Sequence, residues 1–181
     1  MVVDLQPREA GSAWCQRWGP DRKASWRHRR DGGFDASRYA VEEIPDPDAK
    51  AWICGHHYSG TYPAALRRYG LLDIGGTAGP QLAGVAVLSV PASRQVLTVV
   101  FPGLEPYAQS AELGRLVLAP SVAANGESWF LAEVFRMAAR RGLRGIVSFN
   151  DPVARYAADG TMTMPGHIGI IYQASNALCL N

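Results

Sequence analysis

The chain has 181 residues, a net charge of +2, and a composition that is 48% hydrophobic and 19% charged, which is the balance of a soluble globular domain with one core. A disordered chain would hold far fewer apolar residues, and a membrane span would need about 20 in a row, whereas the apolar stretch at 84–90 is short. Three widely spaced cysteines argue against a disulfide framework and a cysteine zinc site, and the charges within positions 1–10 argue against a signal peptide. We therefore expect a soluble cytoplasmic protein without a membrane partner.

Residues 1–37 are interpreted as an N-terminal arm, because they contain several glycines and show no sustained helical or strand period. Positions 17–30 hold six Arg or Lys against one Asp, and three of the five tryptophans lie in or beside them. Such a combination of basic and aromatic side chains is typical of a nucleic-acid-binding surface, where the basic groups contact phosphates and the aromatic rings stack on bases. The alternative is a solvated basic extension whose tryptophans pack on the domain. On the first interpretation, the residues expected to contact DNA are Arg22, Lys23, Trp26, Arg27, Arg29 and Arg30.

Regular patterns begin at residue 38 and predict one domain over residues 38–181. In chain order they predict a strand at 39–44, a helix capped by Asp46 or Asp48 that runs towards His57, a helix at 63–68, a strand at 81–90 with a hairpin partner at 96–101, a strand at 113–118, a helix at 127–141, and strands at 145–149 and 167–172. This order indicates a mixed α/β fold, with a mostly antiparallel central sheet flanked by helices.

The junction at 113–128 is the most informative local feature, since a strand leads through small residues into the strongest helix. Unpaired N–H groups and the positive end of the helix dipole make such a junction suitable for an anion. The alternative is an ordinary turn in which Ser121 or Asn125 caps the helix. The order of elements resembles the acyl-CoA-binding element of the GNAT acyltransferases, whose loop reads Arg/Gln-x-x-Gly-x-Gly/Ala. Gly126 and Ser128 match that loop, but the leading Arg or Gln is missing.

Two segments near the C-terminus carry a recognisable pattern: Val-Ser-Phe-Asn-Asp-Pro at 147–152 and Gly-His-Ile-Gly-Ile-Ile-Tyr-Gln-Ala-Ser-Asn at 166–176. They resemble the Ser-Tyr-Ala-Asp and Gly-His-x-Gly-x-Ile-Tyr-Gln-Ala-Thr/Ser-Asn motifs of the Mom family of phage DNA-modification proteins. His57-Tyr58, Glu-Leu-Gly-Arg-Leu at 112–116 and Asn-Gly-Glu-Ser at 125–128 match further motifs in the same order. Phe-Asn at 149–150 departs from the usual Tyr-Ala. The resemblance covers the chain from about residue 39 onwards.

The resemblance implies a GNAT-like fold, acetyl-CoA as cofactor, and modification of the exocyclic amine of adenine in DNA with a carbamoylmethyl (acetamide) group that protects the DNA from restriction. It also allows a bound iron, with His57 and Tyr58 as candidate ligands. A homodimer is a further expectation for the chain. The implied reacting centre consists of His57, Tyr58, Asp151 and Tyr172. The implied cofactor contacts are Arg115, Val117, Leu118, Asn125, Gly126 and Ser128.

The implied chemistry makes specific demands on the site. An exocyclic adenine amine is a poor nucleophile, so it needs a base such as Asp151 or His57 and a donor such as Tyr172 for charge on the acyl oxygen. The adenine must also leave the duplex stack. Acyl transfer alone does not form an acetamide linked through its methyl carbon.

Each of these residues also has a structural interpretation. His57 can cap a helix, Asp151 can open a turn before Pro152, and Tyr172 can be a core tyrosine. Two other functions remain open: a conventional acetyl-CoA-dependent N-acetyltransferase of a small amine or protein, and a non-catalytic DNA-binding protein on a degenerate acyltransferase scaffold.

Overall fold

The computed structural model describes residues 14–28, 30–167 and 169–180. In chain order its elements are β1 (Trp14–Trp18), β2 (Ala24–His28), β3 (Tyr39–Glu43), α1 (Asp46–His56), β4 (Ala65–Asp73), β5 (Gln81–Ser89), α2 (Gln95–Val100), β6 (Ser110–Leu118), α3 (Gly126–Arg140), β7 (Gly145–Val147), β8 (Arg155–Tyr156), β9 (Met162–Met164) and α4 (Ile170–Gln173). A short 3₁₀ turn over Ala36–Arg38 precedes β3.

The central sheet has five strands in the order β3-β4-β5-β6-β7. All neighbouring pairs are antiparallel except β6 and β7, which run parallel. The strands β1 and β2 form a separate hairpin, and so do β8 and β9. The predicted mixed α/β class and mostly antiparallel sheet are therefore confirmed.

Two apolar clusters hold helices against the sheet. The larger one packs Phe130, Leu131 and Val134 of α3 against strand residues such as Leu71 and Leu88. The smaller one packs Ala49 and Ile53 of α1 against Val85 and Val87 of β5. Because β5 alternates between the two clusters, α1 and α3 cover opposite faces of the sheet.

Two predicted elements around β5 are wrong. Residues 63–68 do not form a helix but lead into β4, which pairs with both β3 and β5. Gly70 is no helix stop, since a Cβ there would lie 2.8 Å from Ile44 and 2.9 Å from Leu82, and the position therefore serves close strand packing. Residues 96–101 are not the hairpin partner of β5, whose second neighbour is β6; they lie largely in α2, which buries Leu97. Tertiary pairing overrides local propensity in both places.

Three further predictions are corrected: the last strand, the structure of the arm and the cap of α1. The strand predicted at 167–172 is wrong: Gly166 and Gly169 have positive φ, Ile170–Gln173 form α4, and residue 168 lies outside the described residues. The arm contains a strand hairpin, β1–β2, despite its lack of period. Neither Asp46 nor Asp48 caps α1; Pro45 occupies that position without a side-chain cap, and both acids lie in the first turn.

Candidate active site

A cleft of about 850 Å³ opens beside β6, the start of α3 and the loops after α1 and β7. This volume lies within the range of ligand sites in proteins, about 300–1,000 Å³. The cleft is lined by nine of the ten residues predicted for catalysis and cofactor binding: His57, Tyr58, Arg115, Val117, Leu118, Asn125, Ser128, Asp151 and Tyr172. Motifs far apart in the sequence therefore meet at one place.

The cleft arises where β6 and β7 separate. The two strands pair only over 110–112 and 145–147, while β6 continues to Leu118. Beyond Glu112, the edge of β6 that faces away from β5 has no strand partner among the described residues. An extended molecule with amide groups can bond to such an edge in the way that an added strand does.

His57 lies at the C-terminal cap of α1, where its backbone N–H donates to Ile53 O. The backbone N–H of Ser59 donates to His57 Nδ1 (3.2 Å), and Ser59 Oγ is 2.9 Å from the same nitrogen. Because a backbone N–H can only donate, Nδ1 is an acceptor and the neutral ring carries its proton on Nε2. Burial, followed by the positive charges of Arg115 and His167, lowers the pKa of His57 to about 4. His57 is therefore neutral at pH 7 and offers a hydrogen-bond donor.

Asp151 is held in an ion pair. Its Oδ2 accepts from Arg155 Nε (3.1 Å) and Nη2 (2.6 Å), and its Oδ1 accepts from the backbone N–H of Val153 (3.0 Å). The hydrogen bonds from Arg155, followed by the Val153 N–H, lower the pKa of this carboxyl. The backbone oxygen of Asp151 also accepts from the N–H of His167 (2.7 Å), which ties the two loops together. Asp151 is thus an ionised, structured carboxylate with weakened basicity.

The two tyrosines of the cleft are half-buried. The ring of Tyr58 lies 4.3 Å from that of His57, and the ring of Tyr172 packs edge-on to His167 at 6.3 Å. Burial is the main cause of the raised pKa of each, and for Tyr172 a hydrogen bond with Ser148 partly opposes it. Both hydroxyls therefore stay protonated at neutral pH and can donate.

Arg115 anchors the turn that follows His57. Its Nη2 donates to Thr61 Oγ1 (2.8 Å) and its Nε donates to Thr61 O (3.2 Å). The predicted cofactor contact thus also fixes the segment that carries His57 and Tyr58.

The loop between β6 and α3 receives a side chain from the N-terminal hairpin. The guanidinium of Arg17 pairs with Glu127 in the first turn of α3. It also donates to the backbone carbonyls of Ala119, Val122 and Ala123. The Arg17 and Glu127 side chains are each 10% exposed. Arg17 is therefore part of the cleft wall and is committed to the protein's own backbone.

The residues at the start of α3 divide between the cleft and the core. Asn125 is exposed with a φ of 73°, and its backbone oxygen accepts from Ser128 Oγ (3.1 Å). Gly126 is buried and does not line the cleft; a Cβ there would lie 2.5 Å from Val122 and 3.3 Å from Phe34. It serves helix packing instead.

The predicted DNA-contacting residues lie on the β1–β2 hairpin and the turn after it. Lys23, Trp26 and Arg30 are exposed, with Trp26 at 50%, and Arg27 is half-buried. Arg22 is engaged by the protein, since its Nη1 donates to Met162 O at 2.7 Å. Arg29 lies outside the described residues. The hairpin thus carries basic side chains beside the cleft.

Among the charged residues that line the cleft, Arg17, Glu112, Glu127 and Arg155 received no individual role from sequence reasoning. Arg17 carried only the general signal of the basic arm, and Glu112 stood in a quoted motif without an assigned role. Arg155 follows Asp151 by four residues, but no regular helix there would have indicated the pair.

The two candidate iron ligands, His57 and Tyr58, are neighbours whose rings lie 4.3 Å apart. Nδ1 of His57 accepts from the backbone N–H of Ser59 and Nε2 carries the proton, so a metal at Nε2 would have to displace that proton. Within the described part of the chain, no group of three or more His, Cys, Asp or Glu side chains converges.

No described helix is long and apolar enough to cross a membrane.

Comparison with models of known protein families identifies the family of the domain. The family model described as the Mom protein family matches residues 38–181. No curated protein matches the chain. The matched range contains every predicted catalytic and cofactor residue and excludes the β1–β2 hairpin that supplies Arg17.

Proposed function

The chain belongs to the Mom protein family of phage DNA-modification proteins, and on that premise we propose that it modifies the exocyclic amine of adenine in DNA with acetyl-CoA. The convergence of the family's motifs on one cleft carries this proposal. The proposed product bears a carbamoylmethyl group, and the proposed biological effect is protection of DNA from restriction.

The cleft offers suitable contacts for acetyl-CoA. The free edge of β6 over 113–118 can bond the amides of the pantetheine arm, while the half-buried Val117 contributes apolar surface. The small residues at 123–124 and Ser128 leave room for a phosphate near the start of α3. Arg115 supplies positive charge nearby. When bound, acetyl-CoA supplies a thioester, an activated two-carbon unit.

The reacting centre is proposed to enclose an adenine that has left the duplex stack. Tyr58 and Tyr172 can donate to charge that develops on an acyl oxygen, and the Nε2 proton of His57 can do the same. Asp151 and its partner Arg155 connect the loops of this wall. In this proposal the protein binds, orients and hydrogen-bonds the reactants.

The neighbouring hairpin is proposed to contact the DNA backbone. Lys23 and Arg30 are exposed and Arg27 is half-buried, so these charges can reach phosphates while Trp26 offers a ring for stacking. Iron binding by His57 and Tyr58 stays a prediction from the family resemblance, and the formation of a homodimer stays a prediction from the sequence.

The direct test is mass spectrometry of nucleosides digested from the DNA of cells that express the chain, beside cells with the empty vector. We expect a heavier deoxyadenosine, whose added mass distinguishes an acetamide from an acetyl group. Acetyl-CoA should protect the purified chain against thermal unfolding, and Ser128→Trp should abolish this protection. Ser121→Trp, at an exposed loop position that does not line the cleft, is the matched control.

Unchanged nucleosides from soluble protein that binds acetyl-CoA would refute the DNA substrate and favour a conventional N-acetyltransferase. Unchanged nucleosides without acetyl-CoA protection would favour a non-catalytic DNA-binding protein.

A further inference from the structure

Glu112 occupies the point in the cleft where β6 and β7 separate. It forms the last pair of the parallel ladder, opposite Val147, and its side chain lines the cleft. The side chain is half-buried and makes no hydrogen bond or ion pair with any described residue. Such a carboxyl is free to meet a reactant.

An irregularity in the sheet directs Glu112 towards the reacting centre. Val87 pairs with Arg115 and Leu88 pairs with Leu113, so Gly114 is an extra residue in β6. Leu113 consequently stays in the larger core cluster with Leu116, and Glu112 takes the opposite face, which Arg115 shares. A Cβ at Gly114 would lie 2.2 Å from Ser89 Oγ, so glycine alone fits there without a shift of Ser89.

The other candidate bases of the cleft are less suited to accept a proton. Asp151 is ion-paired with Arg155, and His57 presents a proton on Nε2. Burial raises the pKa of Glu112, and the charge of Arg115 opposes that shift. The other titratable group that interacts with Glu112 is Tyr172 of α4, which remains protonated. Glu112 therefore combines access with increased basicity.

We propose that Glu112 is the proton acceptor for the exocyclic amine of the adenine. In this step an N–H bond of the amine breaks and the proton passes to the Glu112 carboxylate, while the nitrogen forms a bond to the thioester carbonyl carbon. The carbon–sulfur bond breaks, the thiolate leaves with its electron pair, and the amine carries an acetyl group. This is the acyl-transfer step alone, and it does not itself form the carbamoylmethyl product. The inference rests on the proposed function, since it names the base for that substrate.

The test compares modified deoxyadenosine in the DNA of cells that express the wild type, Glu112→Gln, Glu112→Asp or Glu105→Gln at equal soluble levels. A general base contributes about 10²–10⁴-fold, so Glu112→Gln should lower the modified fraction at least about 100-fold. Glu112→Asp keeps a carboxylate and should retain measurable modification, which a purely structural hydrogen-bonding role would not predict. Glu105 is exposed and lies away from the cleft, so Glu105→Gln should match the wild type.

Acetyl-CoA protection of purified Glu112→Gln should equal that of the wild type, which separates loss of proton transfer from loss of binding or folding. Modification by Glu112→Gln at the wild-type level, or an equal loss in Glu112→Gln and Glu112→Asp, would overturn the assignment. Absence of modified nucleoside in the wild type would instead refute the proposed function.

Discussion

Arg17 attaches the N-terminal hairpin to the cleft, and its replacement tests that attachment. Arg17→Met keeps an apolar stem but removes the donors to Glu127 and to the carbonyls of the β6–α3 loop. It also leaves the buried Glu127 carboxylate without its partner. Breaking one side of a buried ion pair costs about 3–5 kcal/mol, a large fraction of the roughly 5–15 kcal/mol by which domains are stable.

Urea unfolding at pH 7 measures this cost. With a denaturant slope of about 2 kcal/mol per M, a loss of about 4 kcal/mol moves the midpoint down by about 2 M. The double variant Arg17→Met, Glu127→Gln removes both charges and should lose less than the sum of the two single changes. Arg140→Met alters an exposed arginine of α3 and should stay within about 0.5 kcal/mol of the wild type.

Cys15 reports on the hairpin itself. Burial and the nearby Glu127 raise the pKa of its thiol to about 12, so it should resist iodoacetamide at pH 8 while the exposed Cys54 and Cys179 react. In Arg17→Met the peptide with Cys15 should become labelled. An unchanged midpoint with Cys15 still protected would refute the attachment.

Three further predictions concern other parts of the molecule. Gly114→Ala should lower the free energy of unfolding in urea by about 1–3 kcal/mol. The double variant Gly114→Ala, Ser89→Gly should regain most of that stability, because the second substitution removes the Ser89 atoms that the new methyl group would meet. The pKa of His57 is lowered from 6.5 to about 4, so the folded chain holds this ring in its neutral form. The resulting contribution to the free energy of unfolding is complete above pH 6.5 and is lost as the pH falls through 4; the total loss is about 3 kcal/mol at most. Urea unfolding of His57→Gln should show a flatter pH dependence in that window, and an unaltered dependence would contradict the burial of the ring. Lys23, Arg27 and Arg30 are replaced by Gln one at a time, and the affinity for DNA is measured at several salt concentrations. Each replacement of a side chain that contacts a phosphate should reduce the slope of log affinity against log salt concentration by about 0.9. An unchanged slope would exclude these side chains from the DNA interface.

The sequence alone determined the features that depend on local pattern. Strands with dense Val and Leu, such as β5, and the amphipathic helix α3 were predicted within a few residues, because their periodicity is set by the face they bury. The same holds for the family motifs, whose residues line one cleft. Residues 65–73 and 95–100 were assigned wrongly because short apolar segments take the structure that their neighbours allow.

Tertiary structure decided which carboxylates of the motifs are ion-paired. Asp151 carried the signal of a catalytic carboxylate, but Arg155 pairs with it, whereas Glu112, at the point where β6 and β7 separate, has no hydrogen-bond or ion-pair partner among the described residues. The basic segment 17–30 likewise predicted contacts with phosphate, yet its first arginine, Arg17, is inserted into the β6–α3 loop. Composition fixes how many charges a segment carries, but the partners of Arg17 lie more than 100 positions away in the sequence, and only the folded chain brings them to it.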